Sequence, residues 1–543
     1  MFPRSRRMTQ REFQRLLDEL LHFTRGALDL RARLLHDAEA LIVSDVISKC
    51  HDLTALDLSD NALTFIGLEA ICNAIAENNK IVCLAVSGND LDNRALEVLA
   101  GTVICRGSIE VLTLSRNRIS DEGLFKFSEA LRENRTVHEL DLSNNIIGPR
   151  GAQCLFEALF DNDVIRDVDL SFNCVGDKSR EDFARLLSDE SAPPEIMDKS
   201  VDWMNALGGV LKKSRILREI NVRANYIYNV DGLAEGIALS TCLRKLDLAQ
   251  NLLDDDAVQK LAAALKTNQS IRWLNLSHQR TKLSSGIIAL AESLEANSTL
   301  THLALQGDLV SAEGLVAISR MLTVNRTLYD LDLSYNKVDA ISMTVFANAM
   351  SLNKGITHLT FHRMNKFAAE ELAETVQSNR YICSITVNTL QDPLLKRARE
   401  LVHRVTSTNC QAYCKALRFA TLHTSFDNAL ASAFEVFSSN KAFLDRLEEA
   451  TGTDPKCLVF SKRLFIANNY FRITKVVKRH LVCEELPVST GKSQLQLDAL
   501  NEYCLMLICS YLEVSDVRPS EATPVNSEEK PSIWRVLSDL VKY

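Results

Sequence analysis

Residues 137–147 read VHELDLSNNII. Leu140 and Leu142 flank Asp141, so apolar and polar side chains alternate with the period of a strand that buries one face. Asn145 follows three residues later. The same pattern stands 28 residues upstream as IEVLTLSRNRI from Ile109 and 28 downstream as IRDVDLSFNCV from Ile165. Working outward, it recurs as LTALDLSDNAL from Leu53 and IVCLAVSGNDL from Ile81. After a longer interval it returns as LREINVRANYI from Leu217, LRKLDLAQNLL from Leu243 and IRWLNLSHQRT from Ile271. LTHLALQGDLV from Leu300, LYDLDLSYNKV from Leu328, ITHLTFHRMNK from Ile356 and a partial ICSITVNTL from Ile382 complete twelve copies. A helical pattern follows each copy, as in Gly67–Ile75. Small residues (Gly67, Ala95, Gly123, Gly151, Ala257, Gly314) stand where the turn enters the helix. A lone strand–helix unit cannot bury its apolar face, but stacked units can. The array therefore predicts a solenoid with a parallel sheet on its concave side and helices on its convex side.

Asn61, Asn89, Asn117, Asn145, Asn173, Asn225, Asn251 and Asn336 form a column at one repeat position. A buried Asn there satisfies backbone groups in the turn and links neighbouring units. Gln279, Asp308 and Met364 take its place later. Met cannot make these bonds, so the column is expected to loosen toward the C-terminal end. Asn-x-Ser/Thr recurs at Asn134, Asn268, Asn297 and Asn325, at the helix-to-strand turn of several repeats.

The pattern L-x-x-L-x-L-x-x-N with a full helix, repeated over about residues 53–390, resembles ribonuclease-inhibitor-type leucine-rich repeats. That repeat type also occurs in tropomodulins, NOD-like receptors, Ran GTPase-activating proteins and axonemal proteins. The resemblance implies an α/β leucine-rich repeat solenoid of about twelve repeats. It points to an architecture and leaves the partner open.

Residues 1–52 are expected to form a helical cap. Thr9 and Glu12 have capping-box spacing, and Phe13, Leu16, Leu17, Leu20, Leu21, Leu28, Leu34 and Leu35 follow at helical intervals. The interval from Ile165 to Leu217 exceeds one repeat by 24 residues and marks an insertion near 188–210. Residues 391–512 read as an all-α domain, 513–532 as a polar tether, and 533–543 as an amphipathic docking helix carrying Ile533, Trp534, Leu537 and Leu540. Pro455–Cys483 holds seven cations and no acid, including Lys462, Arg463, Arg472, Lys475, Lys478 and Arg479. This stretch reads either as a patch for an anionic partner, RNA among them, or as a basic helix face over aromatic core residues.

The chain has 62 Lys+Arg and 70 Asp+Glu, a net charge of −8. Residues 53–390 hold 33 of the former and 44 of the latter, a net of −11, which leaves +3 for the rest. This excludes a generally basic nucleic-acid binder. The strand residues beside the buried Leu pair face the concave side. They include Glu139, Asp141, Asp167, Asp169, Lys245, Asp247, Trp273, Asp330 and Asp332, with Arg223 where Ser usually stands. Facing carboxylates call for a basic partner, although Asp between the two Leu is also common in this repeat type.

No catalytic signature is found, and neither a cofactor nor a metal is expected. Ser489–Ser493 resembles the end of a phosphate-binding loop, but Leu486 stands where the motif needs Gly. No run approaches 18 uncharged apolar residues. The expectation is a non-enzymatic scaffold that binds one or more proteins in the cytoplasm, in a cytoskeletal, ciliary or flagellar assembly. The alternatives are a GTPase-activating or inhibitory regulator and an organellar (mitochondrial) ribonucleoprotein factor, the latter from four Arg before residue 12.

Overall fold

The computed structural model describes residues 26–50, 52–105, 108–176, 201–280, 282–362, 365–387, 392–422 and 425–474. Thirteen three-residue strands form one sheet in strict sequence order, every neighbouring pair parallel. They are β1 (Ala27–Asp29), β2 (Ala55–Asp57), β3 (Cys83–Ala85), β4 (Val111–Thr113), β5 (Glu139–Asp141), β6 (Asp167–Asp169), β7 (Glu219–Asn221), β8 (Lys245–Asp247), β9 (Trp273–Asn275), β10 (His302–Ala304), β11 (Asp330–Asp332), β12 (His358–Thr360) and β13 (Ser384–Thr386). The central residue of each strand points to the helices. Leu56, Leu84, Leu112, Leu140, Leu246, Leu274 and Leu331 are all buried there. Consecutive helices pack side by side over them, for example Asp121–Glu133 beside Pro149–Leu159. The fit at helix entry is close: a Cβ on Gly151 would lie 2.6 Å from Asp121 Oδ1.

The N-terminal expectation needs correction. Leu28 lies in a strand, not in a helical cap, and β1 pairs with β2 in the register Ala27↔Ala55, Leu28↔Leu56, Asp29↔Asp57. The signal was present, since Ala27-Leu28-Asp29-Leu30 repeats as Ala55-Leu56-Asp57-Leu58 after 28 residues. Arg33 occupies the Asn position in that first unit, which hides it from a motif read on Asn. Its turn is tied down from the next unit instead: Asn61 Oδ1 accepts from the backbone of Arg33 and Leu35, both at 3.0 Å. Residues 9–25 lie outside the described residues, as does 177–200 of the insertion. The insertion leaves the sheet unbroken, because Asp167 on β6 pairs with Glu219 on β7. Helix Val201–Lys213 resumes the array, with Trp203 stacked on Phe156 at 6.2 Å.

The Asn column is a hydrogen-bond ladder. Asn251 Oδ1 accepts from the backbone of Asn225 (2.9 Å) and Ile227 (3.1 Å) in the preceding unit. Its Nδ2 donates to Val222 O (3.0 Å) and Leu248 O (2.9 Å). Gln279 does the same work with one more methylene, accepting from Leu253 N and donating to Leu248 O and Leu276 O. Asp308 also takes the column position. Gly307 and Asp308 both take positive φ, and Asp308 turns outward to Lys337 Nζ at 2.9 Å. Met364 lies outside the described residues. A second ladder runs along the helix-to-strand turns. Asn325 Nδ2 donates to Leu294 O (2.7 Å) and Asn297 O (3.2 Å), while its Oδ1 accepts from Thr327 N and Leu328 N. Asn134, Asn162, Asn268, Asn297, Asn353 and Asn379 repeat this arrangement. They satisfy carbonyls that the preceding helix end leaves unpaired.

The compact unit that contains the sheet extends to Gln411 and includes Asn440–Asp445. Asn409 still belongs to the second ladder, donating to Asn379 O and Ile382 O at 3.0 Å each. A second unit takes in Ala412–Ser439 and the described residues from Arg446 on, and it is helical. Its core holds Phe419, which lies 5.4 Å from Phe434 and 6.3 Å from Phe465, ring centre to ring centre.

Asn251→Ala should therefore destabilise the array by about 3–5 kcal/mol, because it strands several buried backbone groups at once. Asp308→Ala should change stability by less than about 1 kcal/mol, because it removes an exposed ion pair. Urea unfolding and amide exchange of the full chain would compare the two.

Candidate functional site

Each strand presents two side chains to the open face of the sheet, and parallel pairing lines these up in two rows. The first row runs Glu139, Asp167, Glu219, Lys245, Trp273, His302, Asp330 and His358 on β5–β12. The second runs Asp141, Asp169, Asn221, Asp247, Asn275, Ala304 and Asp332 on β5–β11. Neighbours within a row stand about 4.8 Å apart, strand to strand.

The second row closes the turn after most strands. Asp141 Oδ1 accepts from Ser143 N at 2.9 Å, Asp169 Oδ1 from Ser171 N at 2.8 Å, and Asp332 Oδ1 from Ser334 N at 2.9 Å. Asp29 and Asp57 make the same bond in the first two units. So do two neutral residues: Asn221 Oδ1 accepts from Arg223 N at 3.1 Å and Asn275 Oδ1 from Ser277 N at 3.0 Å. Ala85 and Ala304 hold the same position on β3 and β10, so the turn forms without this bond, and where the bond is made it does not require charge. The second carboxylate oxygen of Asp169 accepts from Asn221 Nδ2 (2.8 Å), and that of Asp332 from Gln306 Nε2 (2.6 Å).

The first row carries the electrostatics. Asp167 lies between Glu139 and Glu219, and its Oδ1 is buried without a hydrogen-bond partner. Burial, then Glu219, then Glu139 push its carboxyl above the ordinary carboxylate range. Lys245 Nζ pairs with Glu219 at 2.9 Å and stands 5.5 Å from the centre of the Trp273 ring. Farther along, His302 Nε2 lies 4.0 Å from Asp330 Oδ2, and the His302 ring meets Tyr329 edge-on at 4.8 Å. Burial holds His302 below its usual range, against the pull of Asp330. Burial likewise raises Asp330, against the pull of His302 and His358. The Tyr329 hydroxyl is pushed up to about 12 by burial and by the nearby Asp445 carboxylate.

The family described as Leucine Rich repeat matches residues 49–72, 108–128, 133–156 and 239–262. The array is a leucine-rich-repeat solenoid. No curated protein matches the sequence. Among solved structures, the chain is similar to an internalin from Listeria monocytogenes at 13% identity, over 70% of this chain and 88% of that one, with a TM-score of 0.38. It is similar to a chain of the mouse RP105/MD-1 complex at 16% identity, over 68% and 52%, with a TM-score of 0.38. It is also similar to the actin-binding site 2 of leiomodin-1 at 20% identity, over 29% and 74%, with a TM-score of 0.20.

The solenoid gathers Glu139, Asp141, Asp167, Asp169, Lys245, Trp273, Asp330 and Asp332 on its open face, as their spacing implies. Two expected residues depart. Asp247 is 8% exposed and engaged in the turn, accepting from Ala249 N (2.9 Å) and Asn275 Nδ2 (3.2 Å). Arg223 lies beyond β7, on the rim, where its Nε donates to Gln250 Oε1 at 3.0 Å. Ser59, which holds the position of Arg223 in its own unit, is buried. Glu219 was missed. Its signal is its place in LREINVRAN, which matches that of Asp167 once the insertion is counted as in register. Also missed is a rim cluster in which Asp60 bonds Arg31 and Arg116, each at 2.8 Å. These two guanidiniums, Arg116 first, hold its carboxyl below the usual range.

In the helical unit the basic stretch is divided where it is described: Lys462 is buried, whereas Lys456, Arg463 and Arg472 are exposed. Lys462 is buried, with its Nζ on Leu422 O, and desolvation pulls its pKa down. Arg463 Nη2 donates to Ser438 Oγ at 2.8 Å, and Arg472 stacks 4.0 Å over the Phe426 ring. Burial corrects the expectation of an open anion-binding patch at Lys462; Arg463 and Arg472 have intramolecular partners and remain exposed. Lys475, Lys478, Arg479, the Ser489–Ser493 loop and the docking residues Ile533, Trp534, Leu537 and Leu540 lie outside the described residues. Among the described residues, no helix is long and apolar enough to cross a membrane.

The Asp167 carboxyl supplies a pH test. A pKa raised in the folded state means that the fold binds this proton more tightly than the unfolded chain does. The group's contribution is most favourable below its unfolded pKa and is lost as pH rises through the higher folded value. Asp167→Asn should therefore raise the thermal midpoint at pH 7. That gain should vanish near pH 3, and scanning calorimetry at both pH values would show the difference.

Proposed function

We propose that this chain is a non-enzymatic interaction scaffold whose solenoid grips a basic segment of a partner protein on the open face of β5–β7. The observation that carries this reading is the cluster of Glu139, Asp167 and Glu219 on three adjacent strands, backed by Asp141 and Asp169 in the second row. Asp167 sits half-buried with an unsatisfied oxygen and two carboxylate neighbours, a placement unfavourable to the isolated chain. A Lys or Arg from a partner would relieve the repulsion among the three carboxylates. The second row supports the same conclusion. Asn221 and Asn275 close their turns without charge, so the charges of Asp141 and Asp169 are additional to the structural requirement. Lys245 and Trp273 border the acidic cluster and offer a mixed edge for the rest of the partner. The setting we propose is a larger assembly of the cytoskeletal or axonemal kind that the repeat resemblance implies, in the cytoplasm.

Charge and turn can be separated experimentally. Asp141→Asn with Asp169→Asn retains the turn oxygen and removes two charges. Affinity purification from cells should recover the main partner at least about tenfold less with this double variant, which stays folded and loses only the Asn221 Nδ2 bond to residue 169. Undiminished recovery would refute the acidic-face reading.

A further inference from the structure

The open face changes character between β4 and β5. From β5 to β12 its first row carries acids, Lys, Trp and His. From β1 to β4 the same row reads Ala27, Ala55, Cys83 and Val111, all small and uncharged. The second row adds Ala85 and Thr113 on β3 and β4. Ala27 is exposed and the other five are half-buried. Because these side chains are short, they leave a shallow trough of about 200 Å³ over the sheet. Asp29 and Asp57 stand at its edge, each turned toward its own turn, where it accepts from Arg31 N (2.9 Å) and Ser59 N (2.8 Å). Cys83 adds no charge: burial, then Glu110 and Glu139, push its thiol up, so it stays protonated at neutral pH. The trough runs directly into the acidic cluster, since Val111 pairs in register with Glu139. It holds the volume of about seven water molecules, which an entering apolar group would release.

We propose that this trough seats the apolar end of a partner segment whose basic end meets Glu139, Asp167 and Glu219. The inference rests on the acidic-face reading and names the chemistry of its partner: a large apolar anchor at one end and Lys or Arg at the other. Charge selects this occupant. A wholly basic segment would lay cations over Ala55 and Cys83, where the first row has no acid to meet them. A wholly apolar one would strip water from three carboxylates and give nothing in return. Only a segment of two unlike ends satisfies both parts of the row. Its direction is fixed as well. Lys245 stands on the far side of the cluster, paired with Glu219, so the uncharged surface that adjoins the acids is the one toward β4. Geometry sets the spacing. From the middle of the trough, between β2 and β3, to Asp167 on β6 are three and a half strand steps, about 17 Å. That is about five residues of an extended chain or about eleven of a helix.

The test is selection of a displayed library of random sixteen-residue peptides on the full chain. Enriched sequences should pair a large apolar residue with Lys or Arg at one of these two spacings. Ala55→Asp then separates an apolar seat from a merely acidic surface. An added acid strengthens a basic peptide on the latter and weakens an anchored one on the former. Fluorescence anisotropy with a synthetic copy should show binding at least about tenfold weaker to Ala55→Asp. The same peptide with Ala in place of its anchor should be indifferent to that substitution. The unaltered chain gives a second readout: bound peptide should slow alkylation of Cys83, followed by mass spectrometry, at least about fivefold. Enrichment of basic peptides without an anchor, or tighter binding to Ala55→Asp, would overturn the trough and leave the acidic face standing. Anchored peptides that bind Asp141→Asn with Asp169→Asn undiminished would instead count against the acidic face, and with it against the pairing of the two ends. No enrichment would overturn the proposal. So would alkylation of Cys83 in the chain alone as slow as that of buried Cys72, because the trough would then be covered already by a second copy or by residues 1–25.

Discussion

Most units of this array are held to the next by a buried side-chain amide. Asn251 shows the arrangement: one oxygen takes two backbone N–H groups of the preceding unit, and one nitrogen reaches a carbonyl on each side. A three-residue strand is too short to fix its own neighbour, and its backbone would otherwise end in unpaired groups inside the protein. The amide at one rim and the second Asn ladder at the other close both ends of each strand–helix unit. With both ends closed, the register of thirteen strands is set without a single long strand.

That register is what creates the surface chemistry. Parallel in-register strands place equivalent side chains in rows, so one repeat's charge is compounded by the next. Three successive acids in one row make Glu139, Asp167 and Glu219 an electrostatic unit, although Glu219 is separated from Asp167 by an insertion.

The repeat and its Leu pair were legible in the sequence because burial dictates them at fixed spacing. So were the Asn column and the two-row layout of the face. The first strand was not, since Arg33 replaces the marker Asn and the leucines around it also fit a helix. The sequence could not tell Asp247 from Asp141, because burial depends on neighbouring units. Nor could it show the turn bond that makes the Asp column partly structural. Charge alone could not separate a surface patch from a basic helix face over aromatic core residues at Lys462, Arg463 and Arg472. In the structure Lys462 is buried on a carbonyl, while Arg463 and Arg472 stay exposed beside a hydroxyl and an aromatic ring.

The central claim is that carboxylates of the open face contact a basic partner directly. Zero-length carbodiimide cross-linking of the chain with its co-purified partner tests it most closely, because it joins only a carboxylate to an amine already in contact. The account predicts isopeptide links from partner lysines to Glu139, Asp167 or Glu219. Links confined to the helices or the rim, with this cluster unmodified, would contradict it.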